Sequence, residues 1–92
     1  MNNTEQANAV IYIGPNCVRC DQTMRILDQS GVEYQTINVH ENESAMEHMK
    51  SLGYSSLPVV FAPEDSDIGH WSGFDIMKIR ELTAKLQTPV TI

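Results

Sequence analysis

The residues of this chain with an obvious capacity for chemistry are its two cysteines, set as Cys17-Val18-Arg19-Cys20. Two thiols one helical turn apart can exchange between a dithiol and a disulfide. Only the thiolate attacks a disulfide. Cys17 falls where an apolar strand gives way to a helix, and there the free backbone N–H groups and the helix dipole favour a negative sulfur. Arg19 adds a positive charge next to it. Cys20, one turn later, reads as the more buried of the two. These positions make Cys17 the attacking sulfur and Cys20 the resolving one. The cycle is attack by Cys17, a mixed disulfide, attack by Cys20, and release of the reduced partner. Its product is a Cys17–Cys20 bridge that another reductant must open.

Two other uses of this spacing compete with redox chemistry. A structural staple closing so short a loop constrains the unfolded chain little. A structural zinc site needs four ligands. The remaining candidates, His40, His48 and His70, follow no finger spacing and read as surface or strand-end residues. No metal is expected. A non-catalytic metal-binding or adaptor domain remains the reading from a different functional class.

The elements that must position these sulfurs fit one domain, residues 1–92, since a chain of 92 residues builds a single core. A hydrophobic fraction of 41% suffices for it. The net charge of −6, from 12 acidic and 6 basic residues, disfavours nucleic acid or an anionic membrane as partner, because both call for a basic face. There is no apolar run of transmembrane length, and the first ten residues lack the basic and apolar regions of a signal peptide. The expected address is the cytoplasm. In that reducing compartment a CxxC dithiol is catalytic or metal-binding.

Residues 1–8 and 88–92 are expected to be flexible. Residues 9–13 are an apolar, β-branched run that predicts a buried first strand. Gly14-Pro15-Asn16 breaks it. A helix is expected over 18–30, with Val18, Met24, Ile26 and Leu27 on one side and Gly31 as its stop. Alternation predicts a strand over 32–39. A second helix over 44–52 has Ala45, Met46, Met49 and Leu52 inward, and Gly53 ends it. A strand over 57–62 opens with a proline, an acidic turn occupies 63–67, and a short strand spans 68–72. A last helix over 75–86 places Ile76, Ile79, Leu82 and Leu86 inward. The order is β-α-β-α-β-β-α. Strands one and two are parallel through a right-handed crossover, and the late strand pair is a hairpin on the same four-stranded mixed sheet. This is the α/β, thioredoxin-like (glutaredoxin-type) arrangement, and CxxC after the first strand is its redox signature.

Leu57-Pro58 is a second signal. A proline opening a buried strand lacks the N–H that a ladder uses. In thioredoxin-like folds this position holds a cis proline facing the CxxC, and its neighbouring backbone edge is left for a substrate segment. Trp71-Ser72-Gly73-Phe74 is a third signal. An indole ahead of a glycine turn fits core packing or a docking surface, and Phe74 fits core packing.

Taken together, Cys17-Val18-Arg19-Cys20, Ser56-Leu57-Pro58-Val59-Val60 and His70-Trp71-Ser72-Gly73-Phe74 resemble the NrdH-redoxins, small glutaredoxin-like proteins that behave functionally like thioredoxin. The resemblance covers roughly residues 9–86. It implies a thiol–disulfide oxidoreductase that donates electrons to class Ib ribonucleotide reductase in deoxyribonucleotide synthesis. It further implies re-reduction by thioredoxin reductase, with NADPH acting only through that reductase and no cofactor beyond the disulfide. By the motif match Cys17 is the nucleophile, Cys20 the resolving thiol and Pro58 the cis proline. Val18, Arg19, Leu57, Trp71, Ser72, Gly73 and Phe74 are the expected partner-facing residues. Thr23 and Arg25 match positions usually held by Thr and a basic residue. A donor that docks on two proteins is most simply a monomer.

A glutathione-dependent glutaredoxin is the alternative within the same chemistry. Such proteins carry Gly-Gly followed by acidic residues where this chain has Trp71-Ser72-Gly73-Phe74, and they typically have CPYC. A glutathione site without its charge partners is a poor one. This chain also departs from the NrdH pattern. Asp75-Ile76-Met77 replaces the usual Arg-Pro-Asp, Gly14-Pro15-Asn16 precedes Cys17, and the acidic turn at 63–67 is longer than usual.

Overall fold

A computed structural model describes residues 9–63 and 66–86 of the chain. The expected flexible ends, 1–8 and 88–92, and most of the interior of the acidic turn lie outside the described residues, as does the side chain of Leu86. The order is β1 (Ala9–Ile13), α1 (Val18–Gln29), β2 (Tyr34–Asn38), α2 (Glu43–Ser51), β3 (Val59–Phe61), β4 (His70–Ser72) and α3 (Ile76–Leu86). The sheet order is β2-β1-β3-β4. β1 and β2 are parallel, while β1/β3 and β3/β4 are antiparallel. The mixed thioredoxin-like sheet expected from the element order is the one formed.

Alternation along β1 divides the core. Ala9 and Ile11 point into a cluster with Leu27, Val32, Val60 and Ile79 on the α1/α3 side. Tyr12 points into a second cluster with Val39, Ala45, Met49 and Val59 beneath α2. The successive strand residues thus serve helices on opposite faces. Central residues Ile11, Val59 and Val60 are fully buried, as a strand covered on both faces demands.

Local chemistry sets the helix bounds. Cys17 caps α1, and the Asn42 side chain caps α2 by accepting from the Ala45 N–H at 3.0 Å. Gly31 (φ 75) and Gly53 (φ 90) follow the two helices in left-handed conformations that L side chains rarely adopt. The ladder of β3 begins at Val59, after Pro58, which has no N–H to give it.

Two inward assignments are corrected. Val18 is 69% exposed; the buried stripe of α1 is Cys20, Thr23 and Leu27. Val18 is the first helical residue and lines the groove at the disulfide, so it stands clear of the sheet. Ile76 is 37% exposed, because it borders an open groove between α1 and α3 shared with Ile26, Arg80 and Thr83. Ile79 and Leu82 carry the burial of α3 instead.

Candidate active site

Cys17 and Cys20 are joined in a disulfide, with their Cα atoms 5.2 Å apart. The turn that delivers them starts at Gly14, where β1 leaves the sheet. A Cβ there would stand 2.7 Å from Leu57 Cδ1 and 3.1 Å from the His40 ring, so only glycine allows both side chains to close over the strand exit. Asn16 follows in the left-handed region (φ 53), one of the few residue types that tolerates it. Cys17 then takes extended backbone angles as the N-cap of α1.

At that position the Cys17 sulfur does what a capping oxygen usually does. The Cys20 backbone N–H donates to Cys17 Sγ at 3.1 Å, while the Cys17 carbonyl accepts from the Asp21 N–H. The first turn of a helix presents unsatisfied N–H groups and the positive end of its dipole. Negative charge on this sulfur is therefore stabilised once the bridge opens. Cys17 is half-buried at an open groove, whereas Cys20 is 1% exposed behind it.

The groove, about 430 Å³, is lined by Asn16, Cys17, Val18, Arg19, Ser55 and Leu57. Arg19 is exposed on its rim. The Leu57–Pro58 peptide bond is cis, and Pro58 is fully buried. Two hydrogen bonds tie this loop to the end of β4. Gly73 N–H donates to the Pro58 carbonyl at 2.7 Å, and Ser72 Oγ donates to the Ser56 carbonyl at 2.8 Å. The segments 55–58 and 72–73 are thereby held together beside the groove.

The structure decides the burial left open for Trp71 in the fourth strand and corrects that of Phe74 in the turn after it. Trp71 is only 6% exposed and packs in the α1/α3-side core, so its indole has little surface to present to a partner. Its side chain falls on the inner face because it pairs with the buried Val60. Phe74, read as core, is 37% exposed beyond Gly73. Asp75, the point of charge reversal, caps α3: its Oδ1 accepts from the Met77 and Lys78 N–H groups, both at 3.1 Å. An Asp just before an apolar-periodic segment was a cap signal readable in the sequence. The roles of Gly14 and of the Ser72–Ser56 bond had no such local signal.

His48 on α2 and His70 at the start of β4 are exposed, with their rings against Phe61. Their Nδ1 atoms are hydrogen-bonded to the Tyr12 and Tyr54 hydroxyls at 2.9 and 2.8 Å. His40 stands at the strand exit. Among the described residues no three or more of His, Cys, Asp and Glu are grouped to hold a metal ion.

The glutaredoxin family model matches residues 9–66, which run from β1 through the cysteines and the cis proline. The glutaredoxin-like protein NrdH of Salmonella typhimurium is 38% identical over 64 residues, covering 70% of this chain and 74% of its own. The Escherichia coli NrdH protein matches with the same figures. The chain belongs to the glutaredoxin family, as a member of the NrdH type. It is a thiol–disulfide oxidoreductase, and Cys17–Cys20 is its redox disulfide. The solved NrdH-redoxin of Escherichia coli, described there as having a thioredoxin-like activity profile, superposes with a TM-score of 0.74 at 30% identity. That superposition covers 90% of this chain and 97% of the other. A glutaredoxin from Archaeoglobus fulgidus superposes with a TM-score of 0.64 at 25% identity, over 91% and 96% of the two chains.

Proposed function

We propose that this NrdH-type redoxin is a cytoplasmic dithiol donor that reduces protein disulfides through Cys17 and resolves the mixed disulfide through Cys20. Class Ib ribonucleotide reductase is its oxidised partner, and thioredoxin reductase is its source of electrons. The observation that carries the reading is the asymmetry of the two sulfurs. Cys17 is a helix N-cap at an open groove, while Cys20 is buried one turn behind. An accessible, stabilised thiolate attacks, and a sheltered second thiol displaces the product. Leu57, Val18 and Arg19, and Ser72 to Phe74 form the surface met by the partner, and the buried cis Pro58 shapes the loop that presents Leu57. The likeness to NrdH proteins supports the choice of partner, and the thioredoxin-like profile described for the Escherichia coli relative supports the choice of reductant.

Among the described residues no helix is long and apolar enough to cross a membrane. The acidic balance of −6 favours a protein partner with a positive docking surface over nucleic acid or an anionic membrane.

The glutaredoxin family match keeps a glutathione-dependent reaction as the second reading. The turn after β4 opposes it. Asp75, the carboxylate that follows that turn in the sequence, is engaged by two N–H groups of α3. The two readings separate in a side-by-side assay of bridge reduction. Thioredoxin reductase with NADPH is expected to reduce the Cys17–Cys20 bridge rapidly, and glutathione with glutathione reductase slowly. Fast turnover in the glutathione arm alone would reverse the assignment.

A further inference from the structure

Among the described residues, the Thr23 hydroxyl, the Trp71 indole N–H and the Thr83 hydroxyl are buried without a hydrogen-bond partner. An unpaired buried polar group is destabilising and calls for an explanation. Thr23 shares a helical turn with a redox-active sulfur. Cys20, Thr23 and Leu27 are the buried stripe of α1, with Cys20 at 1% and Thr23 at 0% exposure. Residues three apart on a helix are neighbours, and helical side chains lean toward the N-terminus, so Thr23 covers the turn that carries Cys20.

The partner missing in the disulfide form arises on reduction. A disulfide sulfur is a weak acceptor. Reduced Cys20 is a thiol able to donate, or a thiolate that accepts strongly, in a buried site. A threonine hydroxyl rotates to serve either form. We propose that Thr23 is a redox-dependent partner of Cys20, unpaired in the disulfide and hydrogen-bonded to the Cys20 sulfur in the dithiol.

Two consequences follow from that bond. It stabilises the dithiol relative to the disulfide, so the pair is a milder reductant than it would be without the hydroxyl. It also supports negative charge on Cys20 during resolution. In that step the Cys20 sulfur bonds to Cys17 Sγ and the bond from Cys17 to the partner sulfur breaks. The electron pair and the proton given up by Cys20 end on the partner thiol. Thr23 transfers no atom; it is a positioning residue. The kinetic consequence rests on the assignment of Cys20 as resolving thiol, while the equilibrium consequence does not.

The test uses the full-length chain with Thr23→Val, which keeps the shape, and Thr23→Ser, which keeps the hydroxyl. Each is equilibrated against mixtures of reduced and oxidised dithiothreitol, and the dithiol fraction is counted by alkylation. Thr23→Val is expected to shift the equilibrium toward the disulfide about tenfold, equivalent to about 30 mV for two electrons. Thr23→Ser is expected to stay within about twofold of the parent. With 5,5′-dithiobis(2-nitrobenzoate) as oxidant, release of the second thionitrobenzoate should slow in Thr23→Val and recover in Thr23→Ser. An unshifted equilibrium in Thr23→Val, or an equal shift in Thr23→Ser, overturns the proposal. Neither arm contains a reductase or ribonucleotide reductase, so failure here is distinct from a wrong choice of partners.

Discussion

Gly73 donates its backbone N–H to the carbonyl of Pro58 at 2.7 Å, which fastens the turn after β4 to the loop that faces the cysteines. Ser72 Oγ adds a second tie, to the Ser56 carbonyl. Loss of the Ser72 hydroxyl leaves the Ser56 carbonyl without that donor and loosens residues 55–58. Ser72→Ala is therefore expected to destabilise the fold by about 1 kcal/mol and to raise KM for an oxidised protein substrate more than it lowers kcat. Denaturant unfolding and steady-state kinetics on the same preparation check both parts.

Gly14 supports the other side of the same loop. An added methyl group would stand 2.7 Å from Leu57 Cδ1, inside any real contact distance, so Leu57 or the strand exit must move. Gly14→Ala should cost about 1–3 kcal/mol as an overpacking change, and it should depress kcat/KM by displacing a wall of the groove. A smaller stability loss from Gly14→Ala in a Leu57→Ala background than in the parent, read by denaturant unfolding, would locate the effect at this contact.

Asp75 acts on α3 before it acts on any partner. Its two capping bonds predict a loss of about 1 kcal/mol in Asp75→Ala, lowering Tm by roughly 4–8 °C for a domain of this size. Asp75→Asn, which can also cap, should keep most of that stability. Any change of KM or of its salt dependence in Asp75→Asn then reports the charge alone.

Tyr34 supplies a pH signature. Burial, then the hydrogen bond and charge of Asp28, push its hydroxyl up to about 12 from the usual 10. The native state holds the proton more tightly than the unfolded chain. The stabilisation is full below pH 10 and is lost as pH rises toward about 12. Chemical denaturation across that window should show a larger loss in the parent than in Tyr34→Phe, which keeps the contribution of Tyr12, whose hydroxyl burial also pushes up.

Much of the fold was legible because its determinants are local. The β-branched run at 9–13 and the stops at Gly31 and Gly53 each state their element within a few positions. The redox pair was legible for the same reason. What escaped depends on long-range packing. Trp71 and Phe74 sit three positions apart in one motif, and only the pairing of Trp71 with Val60 decides which is buried. Val18 carries a core residue's chemistry at the first position of a helix, where the groove leaves it exposed. Gly14 reads as a strand breaker, and its closeness to Leu57 appears only once residues far apart in the chain meet.

The proposed cycle requires Cys17, not Cys20, to be the attacking sulfur. Limiting iodoacetamide added to the reduced protein near neutral pH, followed by mass mapping of the modified peptide, tests it directly. The sulfur that caps α1 at the open groove should be labelled first, with Cys20 modified only after a marked lag. Labelling of Cys20 first, or of both at equal rates, would rule out Cys17 as the attacking sulfur.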